Sequence, residues 1–416
     1  MIQLQRRSTF YFIPYVCFIL AFALPTLSKS NSGKITPVIF VPGDGGSQVD
    51  AKLNKTSSVH YICEKTTSDF FNIWLNLELL VPIIIDCWVD NMRLEYDNVT
   101  RTTSNTPGVE LRIPGFGDPF VVEWLDPSKA SSGSYFKDIG NALVALGMGY
   151  ERNVSIRGAP YDFRKAPNEN QEYFVKLKGL VEETYQINNN TPVALLAHSM
   201  GGPMSLYFLH QQTQAWKDKY IRAMITLSGA WGGSAKAIKV YAVGDDLGVY
   251  VLRESVLRNM QITAPSLAWL LPSSLFWKPD EVLVETHERN YTWSDMKDFF
   301  SDIDYSVAWE MWKDVYNYTL NFAPPGVEVH CLHGYNVKTV ERLVYKKGAF
   351  PEGYPSFVIG DGDGTVNKRS LEGCVHWKGH QKQGVYHQTF PDMDHMDVLR
   401  DSRILQYITE LFLYKL

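Results

Sequence analysis

The run Val193-Ala194-Leu195-Leu196-Ala197-His198-Ser199-Met200-Gly201-Gly202 carries more information than any other in this chain. An unbroken apolar stretch of strand length reads as a short buried strand. The glycines after Ser199 mark a sharp turn, and the apolar spacing over 204–211 reads as a helix starting just beyond it. A serine on a tight strand-to-helix turn projects its hydroxyl from the sheet edge. The backbone N–H that follows is then free to hold an oxyanion. The segment reads as a nucleophile elbow, although Ala197 stands where glycine is usual.

Other short segments, at 37–41, 223–227, 327–332, 356–359 and 385–390, read as further strands. Helical patterns such as 173–185 fall between several of them. That alternation implies a mostly parallel sheet covered on both faces. The expected fold is α/β, specifically an α/β-hydrolase fold with a mostly parallel central sheet. Two stretches break the rhythm. Residues from about 236 to 325, rich in Trp, Tyr and Leu, read as a cap insertion. The apolar segment between Cys63 and Cys87 is the other excursion.

A serine hydroxyl needs a base, and the base needs an orienting acid. In this fold the chain order is Ser, then Asp or Glu, then His. Ser199 is followed by Gly360-Asp361-Gly362-Asp363-Gly364-Thr365-Val366, then by Asp392-Met393-Asp394-His395-Met396. Each loop follows an expected strand. Spacing leaves Asp361 and Asp363 open as the acid. His395 is better placed than His376, His380 or His387, which lie before or within the last strand. The loop Pro42-Gly43-Asp44-Gly45-Gly46 follows the first strand, where the second oxyanion donor usually sits. The amides of Asp44 and Met200 are therefore the expected oxyanion hole. This chemistry calls for no cofactor and no metal, and the cysteines lack the C-x-x-C spacing of a zinc site.

A net charge of -5 over 416 residues gives no sign of nucleic-acid binding, and nothing in the sequence points to a protein partner. Arg6 and Arg7 precede an apolar stretch over 10–23, with small residues at Thr26, Ser28 and Ser30. That stretch is shorter than the roughly 18 residues of a membrane span, so 1–29 reads as a cleaved signal peptide and 34–416 as the hydrolase domain. An oxidising route fits the remaining cysteines, Cys63, Cys87, Cys331 and Cys374. Four cysteines allow three pairings, of which the local one closes the smallest loops. N-glycosylation sequons at Asn54, Asn98, Asn153, Asn189, Asn290 and Asn317 fit the same route.

Taken together, the chain resembles the lecithin:cholesterol acyltransferase family, and within it the lysosomal phospholipase A2 branch. The resemblance rests on residues 37–44, Ile73-Trp74-Leu75-Asn76-Leu77-Glu78-Leu79-Leu80, Ile84-Ile85-Asp86-Cys87-Trp88, Leu125-Asp126-Pro127-Ser128-Lys129, Arg157-Gly158-Ala159-Pro160-Tyr161-Asp162-Phe163-Arg164, Ala197-His198-Ser199-Met200-Gly201 and 360–367. It covers almost the whole chain after the signal. The pair Gly202-Pro203 departs from the bulkier residues usual there. The segment Leu227-Ser228-Gly229-Ala230-Trp231 lacks the proline common before that tryptophan.

The resemblance implies the triad Ser199, Asp363 and His395, choosing Asp363 over Asp361. It implies the bridges Cys63–Cys87, closing a lid and membrane-binding subdomain over 61–100, and Cys331–Cys374. It places Lys236 and Thr365 on the acyl-acceptor side of the site. Trp74, Leu75, Leu79 and Leu80 then become candidates for insertion into lipid. The expected activity is a serine phospholipase A and acyltransferase acting at a phospholipid membrane surface. Its acyl group would pass to water or to a lipid alcohol, in the lysosome lumen or outside the cell. The alternatives are a phosphatidylcholine-sterol acyltransferase and a non-catalytic lipid-binding glycoprotein.

Overall fold

Six strands form the central sheet: β1 (Val38–Val41), β2 (Ile156–Gly158), β3 (Val193–His198), β4 (Ile221–Leu227), β5 (Val329–Tyr335) and β6 (Val385–Pro391). Their spatial order is β6-β5-β4-β3-β1-β2, and every neighbouring pair is parallel. The structure is a computed structural model that describes residues 35–129, 133–247 and 253–416. The expected signal peptide at 1–29 lies outside the described residues.

β1 and β3 are buried along their whole length. Helices cover both faces of the sheet, so its central strands are continuous apolar runs and do not alternate. Gln171–Ile187 and Gly201–His210 pack in one apolar cluster and Ser402–Tyr414 in another, with residues of β1 and β3 dividing between the two. The chain leaves β1 toward β2 on one side, then returns to β3 on the other. Such a switch point leaves a crevice beyond the carboxyl ends of the strands, where open α/β sheets bind ligands. Pro42–Gly46 and Ser199 both lie there.

The strand expected at 356–359 exists but belongs elsewhere. Ser356–Gly362 pairs antiparallel with Val337–Val344, which continues from β5 after Asn336. That hairpin belongs to a second, four-stranded sheet with Val282–Glu285 and Asn290–Thr292. The short apolar run Phe357-Val358-Ile359 reads like a buried parallel strand. In the structure the strand is largely half-exposed, with Ile359 open to solvent. The segment between β4 and β5 thus shares a sheet with the hairpin that carries the acid loop.

Candidate active site

Ser199 follows β3 with φ of 54°, a left-handed conformation that costs a serine free energy and persists only where the surroundings enforce it. Its amide donates to the Leu227 carbonyl (2.9 Å), and its own carbonyl accepts from Gly202 (3.0 Å) and Ala230 (3.3 Å). The turn is thereby pinned to β4 and to the following helix.

Two further loops converge on it. His395 Nε2 lies 3.0 Å from Ser199 Oγ, and His395 Nδ1 lies 2.7 Å from Asp363 Oδ2. All three residues are buried. Asp363 Oδ1 accepts from the amides of Thr365 (3.1 Å) and Val366 (2.8 Å). Burial pushes the Asp363 carboxyl upward, but His395 and those two amides more than offset it and hold the group below its usual value. The His395 amide also donates to the Asp363 carbonyl (2.8 Å), so backbone and side chain are both fixed. Asp361, two residues away, is exposed and pairs with Lys368 (3.2 Å).

The loop after β1 is a turn closed by Gly46 N–H donating to Gly43 C=O (3.1 Å), with Gly45 at φ of 69°. That positive φ suits glycine at the third turn position. Gly43 is needed for a different reason: a Cβ there would come within 2.7 Å of Ser199 Cβ. The loop thus lies against Ser199. Neither the Asp44 nor the Met200 amide donates to a protein acceptor among the described residues.

Asp44 is exposed beside the crevice. Crowding raises its pKa to about 6; the Gly45 amide and Lys236 pull it down, and Asp245 pushes it up. Lys236 pairs with Asp245 (3.2 Å), and the Thr365 carbonyl accepts from Ser234 Oγ beside it. The residues named for the acceptor side therefore border Asp44 and the acid loop respectively. Carboxylates of Asp245, Asp246 and Glu254 come within metal-ligating reach of one another, but Lys239 pairs with two of them, Asp245 and Glu254.

Of the four residues named for lipid insertion, the structure buries Trp74 (8% exposed) and Leu80 (4%) and leaves Leu75 and Leu79 half-buried against the core. Trp74 Nε1 donates to the Gly45 carbonyl (2.7 Å), and its ring packs against Trp88 and Phe163. An indole this well partnered supports the loop beside Ser199. The exposed apolar residues of the segment are Leu77 (39%), Val81 (46%) and Ile83 (55%). They sit in and after the short helical turn Leu77–Leu80 and just before the helix Ile84–Met92. That helix buries Ile85, Trp88, Val89 and Met92 inward, which leaves the linker outward.

Disulfides join Cys63 to Cys87 and Cys331 to Cys374. Asn54, Asn98, Asn153, Asn189, Asn290 and Asn317 are all exposed. No helix among the described residues is long and apolar enough to cross a membrane. Sequence reading missed Tyr135 and His198, whose side chains are in contact beside Ser199 and His395. His198 stood in full view inside the elbow, but a histidine beside a nucleophile carries no pattern of its own.

The family model described as "Lecithin:cholesterol acyltransferase" matches residues 70–402. A Canis lupus familiaris protein named "Lysosomal phospholipase A and acyltransferase" is 46% identical over 396 residues, covering 95% of each chain. Its Homo sapiens counterpart of the same name is 46% identical over 382 residues, 92% of each chain. "Phosphatidylcholine-sterol acyltransferase" of Gallus gallus is 42% identical over 375 residues, 90% of this chain and 89% of that one.

Proposed function

The chain belongs to the lecithin:cholesterol acyltransferase family, and from that we propose that Ser199, His395 and Asp363 carry out its acyl transfer. It is an acylhydrolase and acyltransferase of phospholipid acyl esters. The observation that carries the assignment is the unbroken line from Asp363 Oδ2 through the His395 ring to Ser199 Oγ, set at the switch point of the sheet.

Ser199 Oγ attacks the acyl carbonyl while its proton passes to His395 Nε2. Asp363 holds Nδ1–H and stabilises the imidazolium. The amides of Asp44 and Met200 receive the negative charge that forms on the carbonyl oxygen. Collapse breaks the ester bond, and the departing alkoxide takes the proton from His395. Water or a lipid alcohol, deprotonated in turn by His395, then attacks the Ser199 ester and restores the enzyme.

Partition of this acyl-enzyme tests the scheme. Two phospholipids that share an acyl chain but differ in headgroup are each incubated with one lipid alcohol, either ceramide-type or sterol. Both donors form the same intermediate, so the ratio of acylated alcohol to free fatty acid should be equal for the two. A ratio that follows the headgroup means that no common intermediate forms.

With its pKa raised to about 6, the Asp44 carboxyl is expected to gain its charge as pH rises through that value. A charged carboxylate beside the forming oxyanion opposes it, so kcat/KM is expected to fall as pH rises through about 6. Asp44→Asn removes that titration, and the fall should disappear from its pH profile on a soluble ester. An unchanged profile in the variant assigns the fall to another group.

Leu77, Val81 and Ile83 form the apolar surface that touches lipid. Half-exposed aliphatic side chains of this size contribute about 1 kcal/mol each on burial, and every 1.4 kcal/mol is about tenfold in binding. Changing all three to Ser should weaken binding to phospholipid vesicles by about 100-fold, with a much smaller loss on a dissolved short-chain ester. Equal losses on both substrates would point instead to damage at the site. Exposed sequons, two disulfides and relatives named lysosomal support residence in the lysosome lumen or secretion.

A further inference from the structure

Four groups around the triad form a chain of hydrogen bonds whose directions are fixed. The Gly43 amide can only donate, and it donates to the Tyr135 hydroxyl oxygen (3.1 Å). The Tyr135 O–H is thereby left to donate to His198 Nδ1, with which it is in contact. Nδ1 must then be bare, and the ring proton sits on Nε2. Nε2–H donates to the carbonyl of His395 (2.9 Å). Each link is buried, and each donor faces one acceptor.

The chain joins two loops and the end of β3, which the fold brings together from distant parts of the sequence. Gly43 belongs to the loop carrying the Asp44 amide, His198 is the residue before the nucleophile, and His395 is the general base. We propose that Tyr135 and His198 are positioning residues that set the oxyanion loop and the catalytic histidine at a fixed distance from Ser199 Oγ. Neither touches the reacting atoms; they act through Gly43 and the His395 backbone. This rests on the triad reading given above.

The chain works only with a neutral imidazole. A proton on Nδ1 would turn that atom into a donor facing the Tyr135 hydroxyl. The hydroxyl hydrogen would then be driven toward the Gly43 N–H, opposing two donors. Burial first, and then the neighbouring His395, hold the His198 pKa near 3. Its bond to the His395 carbonyl and the Asp363 carboxylate pull the other way. The ring therefore stays neutral down to about pH 3.

The test measures kcat and KM on a dissolved short-chain ester, per active site titrated to end point with a fluorophosphonate. Misfolded molecules then drop out of the count. Tyr135→Phe keeps the ring and removes the hydroxyl. Its kcat is expected to fall about 10- to 100-fold with KM within twofold, because binding is intact and only transition-state contacts are loosened. His198→Ala should lose a similar factor, and the double variant little more, since one chain is broken once or twice. His198→Asn, which keeps an acceptor toward Tyr135, should recover part of the loss relative to His198→Ala.

A Tyr135→Phe enzyme with kcat within twofold of wild type would overturn the proposal, as would losses that multiply independently in the double variant. If Tyr135→Phe yields no titratable protein, equal kcat in His198→Asn and His198→Ala also overturns it. Ser199→Ala, measured per total folded protein because it has no serine to titrate, serves as the separate control. If it is dead while Tyr135→Phe is fully active, the triad stands and the chain is rejected. If Ser199→Ala turns over normally, both fall.

Discussion

Ser199→Ala is expected to abolish turnover of both phospholipid and dissolved ester, with a loss of about three to six orders of magnitude in kcat. The substitution removes one hydroxyl and leaves the elbow in place. The turn is held by backbone bonds to Leu227, Gly202 and Ala230, none of which involves Oγ. Alanine in the same left-handed conformation costs a little more than serine, so thermal unfolding should shift by only a few degrees. What remains would be the effect of the oxyanion amides on a water attack that lacks a placed nucleophile. Steady-state assays on phospholipid vesicles and on a soluble ester check the result. Near wild-type activity on either would remove Ser199 from the mechanism.

Asp363→Asn is expected to lower kcat by about 10⁴-fold, while Asp361→Asn stays within about twofold. The acid's task is to hold His395 in the tautomer that leaves Nε2 bare and to stabilise the ring when it gains the Ser199 proton. An amide at the same place presents a donor or a weaker acceptor to Nδ1, and loss of the correct tautomer in such triads costs about 10⁴. The buried Asp363 carboxylate also accepts two amides, so the asparagine loses charge where several donors point. Asp361 lies on the outer side of the same loop, paired with Lys368 and with the Asn336 amide (2.6 Å), and none of these contacts reaches His395. Comparing the two variants by kcat on one substrate separates two carboxylates that stand two residues apart. Comparable losses in both would mean that the loop as a whole, and not Asp363, matters.

Much of this site is written in local sequence because its parts lie at strand ends. The run Val193 to Ala197 announces a buried parallel strand, and the glycines that follow leave little choice but a turn at Ser199. The loops at Asp44 and His395 are legible for the same reason: each is a break after a strand-like segment. Between Asp361 and Asp363 nothing local discriminates, because strand alternation puts both on one face. Only the ladder with Val337–Val344 and the closure of the loop onto Val366 separate them. The sheet membership of Ser356–Gly362 was hidden likewise, since a short apolar run has no period that tells a parallel core strand from a half-covered hairpin. Trp74 was misread for a related reason. Apolar residues in a disulfide-closed excursion look exposed until their partners are known, and its partner is a backbone carbonyl at Gly45, distant in sequence. Tyr135 has no sequence signal at all. Its role arises from one hydroxyl that joins the Gly43 loop to His198 at the end of β3.

The central claim is that one serine carries the acyl group. A fluorophosphonate probe tests this most directly, by reacting with the protein while label stoichiometry, label position and remaining phospholipid turnover are followed together. The expected outcome is one label per molecule, on the peptide containing Ser199, rising in step with the loss of both hydrolysis and acyl transfer. Loss of turnover with no label at Ser199, or full labelling of Ser199 with either activity intact, would contradict it.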